Sequence, residues 1–252
     1  MTATELSRLR VVAFGDPAAG IWAAVIDAGE PAIVFATPEG TGSASGPDAV
    51  RLTDEGHSWR LAGEGFELLI TPAREAGGAR DGEPAEGDSS GPGDSLCQVQ
   101  GTLSVAGAER AVNCVGTRTS TDGLDLVRLD SLRVLSGWFD SDRGLVLLSF
   151  RPVGSAAQER DLLTATVFEP EGPILVAEPR LSTTYSSHDT PSRASLELWI
   201  GDGEEQYPRR AAAEALGAEV GVDGDRMRLR ATPLRCHTAG LDGAGVYLLA
   251  RF

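Results

Sequence analysis

The strongest constraint on the fold is a rhythm: apolar or alternating runs of five to ten residues recur along the chain, separated by clusters of Gly, Pro, Asp and Ser. A strand turns successive side chains to opposite faces and needs only about five or six residues, so short runs between turn formers spell antiparallel β-structure. Strands are expected at 9–15, 21–27, 32–36, 57–61, 66–71, 97–105, 110–119, 126–138 and 145–151, and again at 163–169, 174–177, 195–200, 207–222, 226–232 and 246–252. The expected fold class is mainly β: two antiparallel lobes of barrel or sandwich type, with few short helices. A chain of 252 residues exceeds the common domain size of about 100–150, yet all-β units often reach about 200–250.

One segment sets propensity against pattern. RRAAAEALGA, 209–218, prefers helix by residue type, but Ala212, Glu214, Leu216, Ala218, Val220 and Val222 share one parity, and Met227, Leu229 and Ala231 alternate with Arg226, Arg228 and Arg230 beyond Asp223-Gly224. Period two favours a hairpin turning near 223–225, with a short helix at 211–216 as the alternative. On the strand reading Glu214 stands on an apolar face. A carboxyl there loses solvation, its pKa rises, and it can serve as a general acid near neutrality. An ion pair with Arg118 or Arg235 is the structural alternative. Further hairpins are expected where Gly201-Asp202-Gly203 follows 196–200 and where Leu241-Asp242-Gly243 precedes the apolar terminus.

The tract from Thr71 to Ser95 holds six acids, two arginines and no large apolar side chain. It can bury little against its ordering entropy, so 72–95 is expected to be a flexible acidic loop. The first part of an N-terminal lobe then occupies 1–71, and the strands of 96–252 form the central and C-terminal lobe. A lid over a pocket is the functional alternative for the loop.

Charge and residue choice exclude several chemistries. A net charge of -15 lacks the basic footprint that nucleic acid or an anionic membrane surface demands, so no nucleic-acid partner is expected. Every basic residue is arginine, which removes Schiff-base lysines, P-loop lysines and Ser-Lys dyads. No dinucleotide fingerprint precedes a helix, and no G-x-S-x-G elbow is present. Cys97, Cys114 and Cys236 are scattered and form no CxxC pair, which suits a reducing, cytoplasmic setting. No apolar stretch reaches the length of a membrane span. His57, His188 and His237 are far apart, and adjacent Cys236 and His237 face opposite ways on a strand, so no metal site is expected unless His188, His237 and a carboxylate converge in space.

Two polar islands stand beside strand-like runs. Residues 128–152 carry Arg128, Asp130, Arg133, Trp138 and Phe139 before the acidic turn 140–144, and residues 179–189 collect Arg180, Thr183, Thr184, Tyr185, His188 and Asp189. Aimed into a cavity such groups would orient a ligand; otherwise they form a tight turn and a surface loop.

Strand spacing over most of the chain, Gly116-Thr117-Arg118, and the Glu214 strand followed by ATPLRCHTAGLDGAG resemble the two-lobed lipocalin-like proteins related to carotenoid hydratases, hydroxyneurosporene synthases and tocopherol cyclases. The central tract departs from that family, with TRTSTDGLDL in place of a histidine and tryptophans. The resemblance implies lipocalin-like β lobes, no cofactor, and an apolar isoprenoid-like ligand turned over by acid-catalysed cyclisation, hydration or isomerisation. Glu214 or Asp140 would then be the acid, with Trp138, Trp199 and Tyr185 as walls toward a cation. The ligand-binding candidates are Arg118, Trp138, Arg180, Tyr185, His188, Trp199 and His237. The competing reading is a non-catalytic binding or scaffold protein, with a homodimer as its self-associating form.

Overall fold

A computed structural model of the chain describes residues 7–73, 93–156, 161–187, 190–201 and 207–252. The first sheet contains β1 (Ser7–Asp16), β2 (Ile21–Asp27), β3 (Pro31–Thr37), β4 (Gly40–Ser45), β5 (Val50–Asp54), β6 (Trp59–Gly63), β7 (Phe66–Pro72), β8 (Ser95–Val105) and β9 (Ala108–Leu124). Its nine strands run in the order β4-β3-β2-β1-β9-β8-β7-β6-β5, all neighbours antiparallel. A 3-10 turn at Leu126–Arg128, the one helical element among the described residues, leads to the second sheet.

That sheet contains β10 (Leu129–Trp138), β11 (Gly144–Pro152), β12 (Leu162–Glu169), β13 (Gly172–Leu175), β14 (Glu178–Ser187), β15 (Thr190–Ile200), β16 (Tyr207–Ala215), β17 (Val220–Asp223), β18 (Arg228–Thr238) and β19 (Leu241–Arg251). Nine of its strands are ordered β13-β12-β11-β10-β19-β18-β16-β15-β14, and β17 pairs with β18 off this path. Each sheet curls until its outer strands approach, giving two barrel-like lobes. In the second, the Val176 amide donates to Ala165 O and the Ala177 amide to Trp199 O, so the chain steps directly from one sheet edge to the other.

The strand pairing moves the boundary drawn from sequence. Strands β8 and β9, residues 95–124, hydrogen-bond to β7 and β1 of the first sheet rather than joining the later strands. Most of the acidic tract, 74–92, lies outside the described residues. The island at 179–189 forms strand β14 paired to β15, not a loop, and the last hairpin turns at Ala239-Gly240, with 241–243 already in β19.

Three apolar clusters form. Val12, Phe14, Val25, Ile33, Leu61 and Ile70 fill the first lobe. Leu135, Leu147, Ala194, Leu198, Ala213 and Leu249 fill the second. The third lies between the lobes, where the outer faces of β1, β2 and β3 meet those of β10, β11, β18 and β19 through Val11, Ile26, Val34, Val134, Val246 and Leu248. These strands have both faces buried, which is why they read as unbroken apolar runs such as RVVAF, IWAAVI and YLLA. Two polar contacts stitch the seam: the buried Glu30 carboxylate accepts from the Asp225 amide at 3.1 Å and the Arg226 amide at 2.8 Å, and Thr166 donates to Asp94 at 2.6 Å.

Candidate functional site

A pocket of about 410 Å³ opens between the lobes. One wall is Trp22 of β2 with Ala36 of β3; the other is Trp138 of β10 with Ala244 of β19, and Leu216, Gly217, Ala218 and Val220 together with Pro233 close the rim. Trp138 is 6% exposed and packs in the inter-lobe cluster, with Trp22 against it. Trp22 went unnoticed in the sequence, although an indole inside the continuous apolar run IWAAVID is the signal that could have found it. The described lining holds no carboxyl, imidazole or thiol; Thr41 supplies its one hydroxyl side chain.

Neither acid singled out from sequence lies on this wall. The inward face of β16 is Ala211 and Ala213, buried at 7% and 2%, so Glu214 sits on the opposite parity and faces water. It pairs with Arg193 at 2.9 Å, not with Arg118 or Arg235, although Arg235 is its cross-strand neighbour on β18. The segment itself is a strand through Ala215, the reading period two favoured over a short helix. Asp140 closes the turn after β10, accepting from the Asp142 amide at 2.8 Å and the Arg143 amide at 2.7 Å, which is ordinary aspartate turn chemistry.

The other candidates scatter. Arg180 and His237 come together on an open groove of about 630 Å³ over the outer face of β14, β15, β16 and β18. There Arg180, Glu197 and Arg210 form a cross-strand charge ladder, Ser182, Ser195 and Ala212 form a floor of small residues, and His237 Nδ1 meets Asp242 at 3.0 Å. Trp199 lies beside the groove, its ring 5.8 Å from the Arg180 guanidinium. Tyr185 instead faces the second lobe's interior, 3.1 Å from the Tyr247 hydroxyl. Arg118 belongs to the first lobe, where its guanidinium stacks 5.0 Å from the Trp59 ring and donates to Ser95 and to His57 O. Burial lowers its pKa. His188 lies outside the described residues.

The seam also holds a carboxyl that sequence reading passed over. Burial drives the Asp94 pKa up to about 6, partly offset by the hydroxyls of Thr166 and Thr119, and its Oδ1 is buried without a partner. One acid among six in a polar tract gave no sign of this. The three thiols are inert by the same physics: burial pushes Cys114 and Cys236 up to about 12 and Cys97 higher still. Among the described residues no group of three or more His, Cys, Asp or Glu could hold a metal ion, and no helix is long and apolar enough to cross a membrane.

Two solved structures resemble this arrangement over almost its full length. An AttH-type protein of Nitrosomonas europaea superposes with a TM-score of 0.62 at 12% identity, covering 97% of this chain and 91% of its own. CghA, solved with Sch210972, gives 0.59 at 9% identity over 98% and 89%. The likeness is one of fold. Both neighbours share the lipocalin-like barrel fold that the family resemblance implied, whereas no family profile and no curated protein matches the sequence.

Proposed function

We propose that the chain binds an apolar small molecule, isoprenoid- or polyketide-like in size and flexibility, in the pocket between its lobes. The reading is carried by Trp22 and Trp138 lining, from opposite lobes, a hollow of about 410 Å³ with otherwise aliphatic and small walls. Ligand sites commonly span about 300–1,000 Å³ and are mostly apolar with few polar groups. The fold likeness to a protein solved with the small molecule Sch210972 supports the same class of occupant.

For a cyclisation or isomerisation, such a wall acts through shape. It folds a flexible ligand, holds reacting carbons together and removes water, while indole faces attract any developing cation. An acid from Glu214 or Asp140 has no part in this mechanism, since both carboxylates are solvated and engaged by Arg193 and by the turn amides respectively.

Titration with N-phenyl-1-naphthylamine tests the binding. Saturable fluorescence with one site per chain is expected, with quenching of tryptophan emission, and Trp22→Ala should weaken it about tenfold, in line with loss of an aromatic contact surface. A linear, unsaturable response, or saturation unaffected by Trp22→Ala, contradicts the proposal.

A further inference from the structure

The second lobe presents a different chemistry at one end of its interior. On β10 and β11 the side chains that follow Leu135 and Leu147 along the inward face are Arg133, Ser149 and Arg151, so the apolar core gives way to polar groups there. All three converge on one carboxylate: Arg133 Nη1 lies 2.6 Å and Ser149 Oγ 2.8 Å from Asp161 Oδ2, and Arg151 Nη1 lies 3.0 Å from Oδ1. Two guanidiniums thus face a single carboxylate, in side chains only 26%, 22% and 12% exposed for Arg133, Arg151 and Asp161. Among the described residues these two guanidiniums share that one carboxylate, in a largely dehydrated corner of the lobe.

Further polar groups face the same interior. Arg133 Nε is buried without a partner, and so is the hydroxyl of Thr232, which stands opposite Tyr247 in the β18–β19 register. Tyr247, 1% exposed, shares its hydroxyl with Tyr185, which reaches the surface at 37% exposure. Burial raises the Tyr247 pKa, and the charge of Arg133 opposes that rise, so the guanidinium and the phenol sense each other. Tyr247 is therefore held as a neutral phenol.

We propose that this end of the second lobe is a binding site for a small monocarboxylate. A carboxylate matches what is left over: two guanidiniums share one carboxylate, and the side of the Arg133 fork that Asp161 does not use, with its unpartnered Nε, takes two coplanar oxygens. The hydroxyls of Tyr185 and Thr232 supply further donors. The site is separate from the inter-lobe pocket, because Arg133 projects from β10 on the face opposite Val134 and Trp138.

Calorimetric titration of the full chain with benzoate tests this, with benzamide and inorganic phosphate as comparison ligands. Benzoate is expected to bind once per chain, benzamide about tenfold or more weakly, as loss of a charge-assisted pair dictates, and phosphate more weakly than benzoate. Arg133→Gln should lower benzoate affinity about tenfold, and Tyr185→Phe, at a partly exposed position, should weaken it several-fold even if the first variant folds poorly. Benzoate should leave N-phenyl-1-naphthylamine bound, which separates this site from the pocket between the lobes. Absence of saturable benzoate binding, equal binding of benzamide, preference for phosphate, or indifference to both substitutions overturns the proposal.

Discussion

Asp94 is the residue at which local physics makes the sharpest claim. An unfolded aspartate titrates near 3.8, whereas burial lifts this one to about 6, so between those values the folded chain holds a proton that the unfolded chain has released. Its contribution is therefore favourable below the lower value and is lost as pH rises through the higher one, by about 3 kcal/mol in total. Urea unfolding at pH 4 and pH 7 should show that loss in the wild type and a flatter difference in Asp94→Asn; identical slopes in the two proteins contradict it. The cysteines offer a second check at this scale. A disulfide reagent should find no reactive thiol in the native chain and three after denaturation, because all three are buried and their thiolates suppressed.

At the scale of elements, parity decides what each side chain can do. On β16 the register puts Ala213 inward and Glu214 outward, so Ala213→Glu should bury an unpaired charge and cost more than about 3 kcal/mol, while Glu214→Ala should stay within about 0.5 kcal/mol. Comparable losses in denaturant melts would mean the register is wrong. Much of this level was legible in the sequence: the strand at 209–215, the alternation of Met227, Leu229 and Ala231 against arginines, and the absence of long helices all follow from period two. What was not legible was phase. The alanine-rich run 211–213 offers no contrast between faces, so Glu214 could be assigned to either, and only pairing with Arg193 and Arg235 fixes it. The edge strand β14 is hidden in the sequence because Ser, Thr and Tyr dominate it, a composition that suits a surface loop and that an edge strand facing water also tolerates. The Glu30 clamp was equally hidden, since its partners are backbone amides 195 and 196 residues away. Glu30→Ala should cost about 2 kcal/mol by leaving those amides unpaired, again read by urea unfolding, and a change below about 0.5 kcal/mol would deny the clamp a role.

The whole molecule is two curled sheets that bury their outer faces against each other, so an apolar core lies at the seam beside the two barrel interiors. A pocket at such a seam can be lined by indoles from both lobes while remaining free of ionisable side chains, which is the arrangement around Trp22 and Trp138. The topology distributes the candidate residues among the seam, the outer groove and the two lobe interiors, because long-range register and not sequence proximity determines which strands adjoin. Filling the seam pocket from its rim shows whether an apolar ligand is held there. Ala218 lines it from an exposed segment outside the strands, so Ala218→Trp can occupy the space without disturbing either core. Calorimetric titration of N-phenyl-1-naphthylamine into both proteins is predicted to show binding to the wild type and none to the variant at an unchanged melting temperature; equal binding to the two would contradict the account.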